Sequence, residues 1–225
     1  MNFLSKIFIA CAVISAGTSV ANAGVVIGGT RVIYDGNKKE ASISVNNPDS
    51  TPYLIQSWIE TQSGGAEKAP FIITPPLYRL DKGQQNVERI LLAGSAPQDK
   101  ESLYWLNIKS IPSATRGENT LQIAVKTRIK LIYRPASLKG TVPEQLADKL
   151  TWQRSGNQIV VTNPTHYVMN FNEITVGGKK LDDASYVLPG STAHFNLPAG
   201  TSGGNVMFKI INDYGGAGKI HTSGF

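Results

Sequence analysis

The side chains able to do chemistry are few and widely spaced. His166, His194 and His221 are the only imidazoles and Cys11 is the only thiol. No two of the histidines stand at a metal-ligand spacing, and no cysteine is at hand to complete a zinc set. The sequence contains no G-x-S-x-G elbow, P-loop or dinucleotide fingerprint, and the Gly-rich run Gly200 to Gly204 precedes a strand-like segment rather than opening a helix. Catalysis, metal and cofactor are therefore not expected, and non-covalent binding is. The strongest chemical pattern is the stretch from Leu121 to Leu131, apolar at most odd positions and polar or basic at most even ones. A side-chain period of two places Leu121, Ile123 and Val125 on one face of a strand, with Lys126, Arg128 and Lys130 on the other. Taken alone, such a strand would bury its odd face in its own domain and leave its even face to water.

The elements that must hold this strand share its period. Short alternating stretches recur every eight to fifteen residues between Gly, Pro, Asn and Asp, the pattern of an all-β sandwich. In the first half they are Val25 to Tyr34, Ala41 to Val45, Tyr53 to Glu60, Phe71 to Thr74, Val87 to Leu92, Leu103 to Ser110 and Thr120 to Arg134, enough for one immunoglobulin-like sandwich. The segment Ser137 to Glu144, carrying Gly140 and Pro143, interrupts the alternation and reads as a domain boundary. A second set follows: Leu150 to Gln153, Gln158 to Thr162, Tyr167 to Val176, Tyr186 to Leu188, Thr192 to Asn196, Asn205 to Ile211 and Lys219 to His221. Two sandwiches on one short connection, residues 24–140 and 145–225, leave a junction cleft, a preferred place for binding.

The amino terminus reads as an export signal. Lys6 supplies the positive region, Ile7 to Val20 the apolar middle and Ala21-Asn22-Ala23 a small-residue cleavage site, so the mature chain is expected to begin at Gly24. The apolar run is too short and interrupted for a retained anchor, and Cys11 lies inside it rather than at its end, which argues against lipidation. The remaining 225 − 23 = 202 residues contain no cysteine, and their formal charge is 21 − 16 = +5 once Lys6 is removed. Stability must then come from ordinary cores without disulfides. Scattered basic residues on an exported chain argue against nucleic acid as a partner.

Five blocks, taken together, resemble the periplasmic pilus chaperones, the PapD-like family: Thr30-Arg31-Val32-Ile33-Tyr34-Asp35-Gly36, Gln56-Ser57-Trp58-Ile59-Glu60, Thr74-Pro75-Pro76, Gln122 to Pro135, and Ile211-Asn212-Asp213-Tyr214-Gly215-Gly216. They occur in the family's order across nearly the whole mature chain. The resemblance implies two immunoglobulin-like domains set in an L, no enzyme activity, and a periplasmic chaperone that folds and caps pilus (fimbrial) subunits and delivers them to an outer-membrane usher.

Residue by residue, the resemblance assigns Arg31 and Lys130 to the anchor for a subunit's C-terminal carboxylate. It assigns Leu121, Ile123 and Val125 to a donor strand that completes the subunit's sheet, and Glu101, Arg134 and Asp213 to an interdomain salt-bridge network. Pro75 falls where the family carries a cis bond. Some relatives have a cysteine pair late in the second domain, and the long-loop subclass has one around the donor strand. This chain has neither, and its short connection Pro112 to Asn119 resembles the short-loop subclass that builds rod-like pili. Whether the free protein pairs with a second copy to cover its apolar strand stays open. The rival readings are a pilus subunit or adhesin, which would show an incomplete sandwich and usually a cysteine pair, and an exported carbohydrate-binding module on the same scaffold.

Overall fold

The computed structural model describes residues 24–64, 67–113, 121–201 and 203–225. The export segment and most of the Pro112 to Asn119 connection lie outside the described residues. The first half contains β1 (Val26–Ile27), β2 (Arg31–Asp35), β3 (Ala41–Asn46), β4 (Tyr53–Thr61), β5 (Phe71–Thr74), β6 (Leu77–Leu80), β7 (Gln85–Leu92), β8 (Ser102–Pro112) and β9 (Val125–Arg134). They form two sheets, ordered β1-β3-β7-β5 and β2-β9-β8-β4-β6. The alternation in each strand sends one face inward: Ile43 and Val45 from β3, Ile90 from β7, Ile55 from β4, Leu106 and Ile108 from β8, and Ile129, Leu131 and Tyr133 from β9 meet in one core. The Thr74–Pro75 bond, in the turn between β5 and β6, is cis.

The second half contains β10 (Thr151–Ser155), β11 (Gln158–Asn163), β12 (Met169–Val176), β13 (Lys179–Lys180), β14 (Tyr186–Val187), β15 (Ser191–Asn196), β16 (Val206–Ile211) and β17 (Ala217–Ser223). Its sheets run β10-β11-β15 and β13-β12-β16-β17, with β14 also paired to β12. Trp152, Phe171, Phe195 and Phe208 fill a second, separate core with tilted and edge-to-face ring contacts.

Four details depart from the sequence reading. The expected strand Val25 to Tyr34 is two strands in different sheets. Gly28 lies against β3, donating its N–H to the Ser44 carbonyl at 2.8 Å, and a Cβ there would stand 2.0 Å from Ser44 Oγ. Beyond it the chain crosses to the other sheet, where β2 runs parallel to β9 in the register Arg31 to Lys130 through Asp35 to Arg134. The expected strand Thr120 to Arg134 becomes a strand only at Val125, opposite Ser110, and Leu121 to Ala124 lie ahead of it in irregular backbone. Strand β6, four residues with one buried, and β13, two exposed lysines, are too short to have stood out. The boundary region also holds two 3-10 helices, Ala136–Leu138 and Pro143–Lys149, the second opening on a proline that needs no amide partner there.

The halves are joined by more than that connection. Arg134 donates from Nε to Glu101 Oε1 at 2.6 Å and from both terminal nitrogens to the Asp213 carboxylate at 2.6 and 2.8 Å. The second Glu101 oxygen accepts the Val168 N–H at 2.7 Å, and the Glu101 N–H donates to the His166 carbonyl at 2.8 Å. Burial pushes the Glu101 carboxyl upward, while Arg134 and the Val168 amide pull it down. Both oxygens face donors, so the ionised form is the one this geometry fits. Burial also works to lower the Arg134 pKa, but its bonds to Asp213 and Glu101 outweigh it and hold the guanidinium charged. Leu103 and Ile132 from the first domain pack with Val168 from the second, flanked by Ile33, Tyr186 and Leu188. Arg134→Ala strands a fully buried carboxylate and is expected to cost about 3–5 kcal/mol of stability in urea unfolding. Arg134→Lys should recover less than half of that loss, since an ammonium cannot reproduce three forked bonds.

Candidate functional site

One strand, β9, changes character along its length. On its odd face Ile129, Leu131 and Tyr133 are buried, and Leu131 is wholly so. On the same face Val125 is 54% exposed, Ile123 63% and Leu121 83%. Apolar residues recur at most odd positions on both sides of Thr127, but the core beneath them ends. The expectation that this face simply fills the domain's own core therefore fails for the three N-terminal positions and holds for the three C-terminal ones.

The edge beside those positions is open. On one side β8 pairs with β9 from Val125 to Tyr133. On the other, β2 covers only Lys130 to Arg134, because the chain before Arg31 has crossed to the other sheet to pair with β3. No strand lies beside Val125 to Ile129 on that edge among the described residues. Such an edge offers backbone donors and acceptors to any extended chain. A chain entering this lane in the direction of β2 would end where β2 begins, at Arg31.

Two cations stand at that point. Arg31 and Lys130 are cross-strand partners on one face, each half-buried. Among the described residues neither has a carboxylate within 4 Å, and the buried Arg31 Nε has no hydrogen-bond partner. Burial, with the adjacent Arg31 charge, lowers the Lys130 pKa to about 8. Burial also lowers that of Arg31, against the pull of Asp213. Lys130 Nζ lies 4.7 Å from the Tyr186 ring centre, a contact from the second domain that sequence reasoning did not foresee. Two like charges held together out of water form a site built for an anion, and a guanidinium fork beside an ammonium suits the two oxygens of a carboxylate.

The structure brings Arg31, Lys130 and the Glu101–Arg134–Asp213 cluster into one region, with Leu121, Ile123 and Val125 leading away along the strand. It does not bring the histidines together. His166 contributes its carbonyl to the domain junction, His194 lies on β15, and His221 stacks on Phe208 with Asp148 at 3.3 Å. Among the described residues no group of His, Cys, Asp or Glu is placed to hold a metal.

Residues 24–139 match the family described as pili and flagellar-assembly chaperone, PapD N-terminal domain, and residues 145–222 match the pili assembly chaperone PapD C-terminal domain. The chain is 45% identical over 210 residues to the probable fimbrial chaperone LpfB of Escherichia coli O157:H7, covering 91% of this chain and 90% of that one. It is 43% identical to the chaperone protein FimC of Escherichia coli K12, covering 87% and 82%. Among solved structures, it superposes on a chain from the Salmonella enterica complex of the SafA pilin with the SafB chaperone. That match has a TM-score of 0.84 and 36% identity over 92% of this chain and 99% of the other. The E. coli chaperone DraB matches with a TM-score of 0.80 and 38% identity, over 88% and 95%. The two sandwiches, the open strand edge and these likenesses have one reading: the chain belongs to the PapD-like chaperones of pilus assembly.

Proposed function

We propose that this chaperone is exported to the periplasm, matures by cleavage before Gly24, and there captures pilus subunits through residues 24–140 and 145–225 acting as two domains. The subunit's last strand takes the vacant lane beside β9 and runs parallel to it, and its terminal carboxylate docks on Arg31 and Lys130. Leu121, Ile123 and Val125 enter the groove of a subunit that lacks a strand. The observation that carries this reading is the juxtaposition of an uncovered apolar edge with two half-buried cations that have no acid of their own.

The magnitudes suit a reversible capture. Each fully buried aliphatic side chain stabilises by about 1.5–3 kcal/mol. Each charge-assisted hydrogen bond adds about 1.5–3 kcal/mol. Ordering and association consume much of the sum. Glu101, Arg134 and Asp213 set the geometry of the junction and take no part in contact with the subunit. Delivery follows at an outer-membrane usher, where the arm of the next subunit replaces the chaperone strand by filling the groove better, with no nucleotide spent. The SafA–SafB likeness supports this arrangement, since its name pairs a pilin with a chaperone.

Periplasmic co-expression with the cognate subunits tests both halves of the site. Arg31→Ala or Lys130→Ala should preserve export and fold yet reduce recovered subunit complexes at least tenfold. Wild-type yield with both substitutions together would remove the anchor. Ile123→Asp should weaken capture while shifting the thermal midpoint by less than about 2 °C, as expected for an exposed position. Equal losses of binding and of melting temperature would return Ile123 to the core.

The Lys130 shift has a sign that can be followed. Its folded-state pKa of about 8 lies below the ordinary 10.5, so the unfolded chain holds the extra proton between those values. Stability should therefore rise with pH across that window. Lys130→Met is expected to melt above wild type at pH 7, with the gap closing as pH rises toward 10.5. Capture should move oppositely, because the carboxylate needs the ammonium. Affinity stays level below pH 8 and falls above it, and Lys130→Arg flattens the profile. A wild-type profile that stays flat from pH 7 to pH 10 would count against Lys130 as a carboxylate ligand.

A further inference from the structure

The even face of β9 belongs to a surface that extends beyond the anchor, from Lys130 to Lys126 and across β8 and β4. Cross-strand register places Lys130 beside Trp105 and Glu60, Arg128 beside Asn107 and Trp58, and Lys126 beside Lys109 and Gln56. These side chains share the outward face of the five-stranded sheet, the face turned away from the domain core. Two cations lie over tryptophans: Arg128 stands 4.4 Å from the Trp105 ring centre and Lys126 stands 5.3 Å from that of Trp58. Glu60 is the one carboxylate among these positions, accepting the Trp58 indole N–H at 2.8 Å with Arg128 at 3.5 Å. Lys109 and Lys126 have no ion pair within 4 Å among the described residues. The Asn107 Oδ1 at the centre of the face is buried without a hydrogen-bond partner.

Counting Arg31, the part of the face nearest the open edge carries five cations, Arg31, Lys109, Lys126, Arg128 and Lys130, and one carboxylate, Glu60, 5 − 1 = +4. This local basic excess borders the open edge of β9 directly. A strand added to that edge extends the sheet, and every second side chain of that strand must project onto this face beside Arg128 and Lys126.

We propose that this cation–tryptophan face is a specificity surface for the client's final strand, selecting clients with carboxylate side chains at the alternate positions that point away from their groove. The proposal rests on the strand-addition reading above and adds a charge rule to it. The tryptophans hold the lysine and arginine heads upright over apolar rings, so the charges meet the incoming strand already placed. Opposite charges across neighbouring strands favour the pair, and like charges penalise it. The field of the face also raises the rate of encounter with acidic clients, an effect that salt suppresses.

The test uses the mature chain and three synthetic peptides of about twelve residues, each with a free carboxyl terminus, alternating Val with Glu, Ser or Lys. Binding is read by fluorescence anisotropy at low and high ionic strength. The Glu peptide is expected to bind roughly tenfold tighter than the Lys peptide at about 20 mM salt, with Ser between them. The difference should shrink to less than about twofold at about 500 mM salt and in the double variant Lys109→Glu, Lys126→Glu, whose melting should match wild type. Equal affinity of the Glu and Lys peptides at low salt would overturn the proposal, as would a preference that survives the double variant or a failure of all three peptides to bind. Peptides amidated at the carboxyl terminus separate this idea from the anchor: a Glu preference that persists while amidation has no effect sinks the anchor and spares the face. Binding to phosphatidylglycerol vesicles that the double variant abolishes, with no peptide discrimination, would instead assign the face to an anionic membrane surface.

Discussion

A strand edge covered over only half its length is the constraint on which the rest of this molecule depends. The cause is local: before Arg31 the chain crosses between sheets at Gly28 and Gly29, and Gly28 sits so close to Ser44 that a side chain there would collide. The crossing lets β1 finish one sheet and β2 begin the lane beside β9, but leaves the first part of that lane without a strand among the described residues. An isolated domain gains nothing from this. It leaves backbone groups unpaired and three aliphatic side chains in water, the arrangement that soluble β proteins generally cover or blunt. The exposed cations of the even face lie on this same edge strand and act as the blunting charges while the edge is unoccupied.

Two cations on β9, Arg134 and Lys130, do opposite work. Arg134 has its acids supplied from within the chain, one from each domain, so its energy goes into holding the junction. Lys130, four residues earlier on the same face, has none, and its depressed pKa records the cost. Because both sit on one rigid strand, the network that fixes Tyr186 and Val168 against the first domain also fixes the wall beside Lys130. The junction thereby helps to shape the proposed binding site, although none of its three charged members lies in the open lane.

Much of this was legible in the sequence, and what was not has physical reasons. Period-two alternation revealed most strands because each has one buried and one wet face. The break within Val25 to Tyr34 is marked by Gly28-Gly29, but that the pairing partner changes there, from β3 to β9, has no local signature. The strand at Leu77–Leu80 was missed for having only four residues with a single buried one. In the site, Arg31 and Lys130 came from motif resemblance; spacing alone could not have paired residues ninety-nine positions apart. Tyr186 could not be found at all, since its role is a cross-domain contact with no local signature. The concentration of charge on the Trp58–Trp105 face was equally hidden, because composition reports the total and only strand register reports where it gathers.

In the proposed capture, register ties the anchor on β9 to the apolar positions at and just ahead of its start. A β-strand rises about 3.3 Å per residue, so Val125 and Lys130 lie about 16 Å apart along β9. A rigid spacing of that kind is a ruler. If the client's carboxylate is fixed at Lys130, the groove positions that Val125, Ile123 and Leu121 can reach are fixed with it. A slip of one residue would turn Gln122, Ala124 and Lys126 inward, exchanging three aliphatic side chains for an amide, a methyl and a charge. The carboxylate alone is a common group and selects little, and an alternating apolar edge alone would tolerate many registers. Their fixed separation converts two weakly selective contacts into one demanding condition on the length of the client's final strand, and a stabilised junction is what keeps that separation constant.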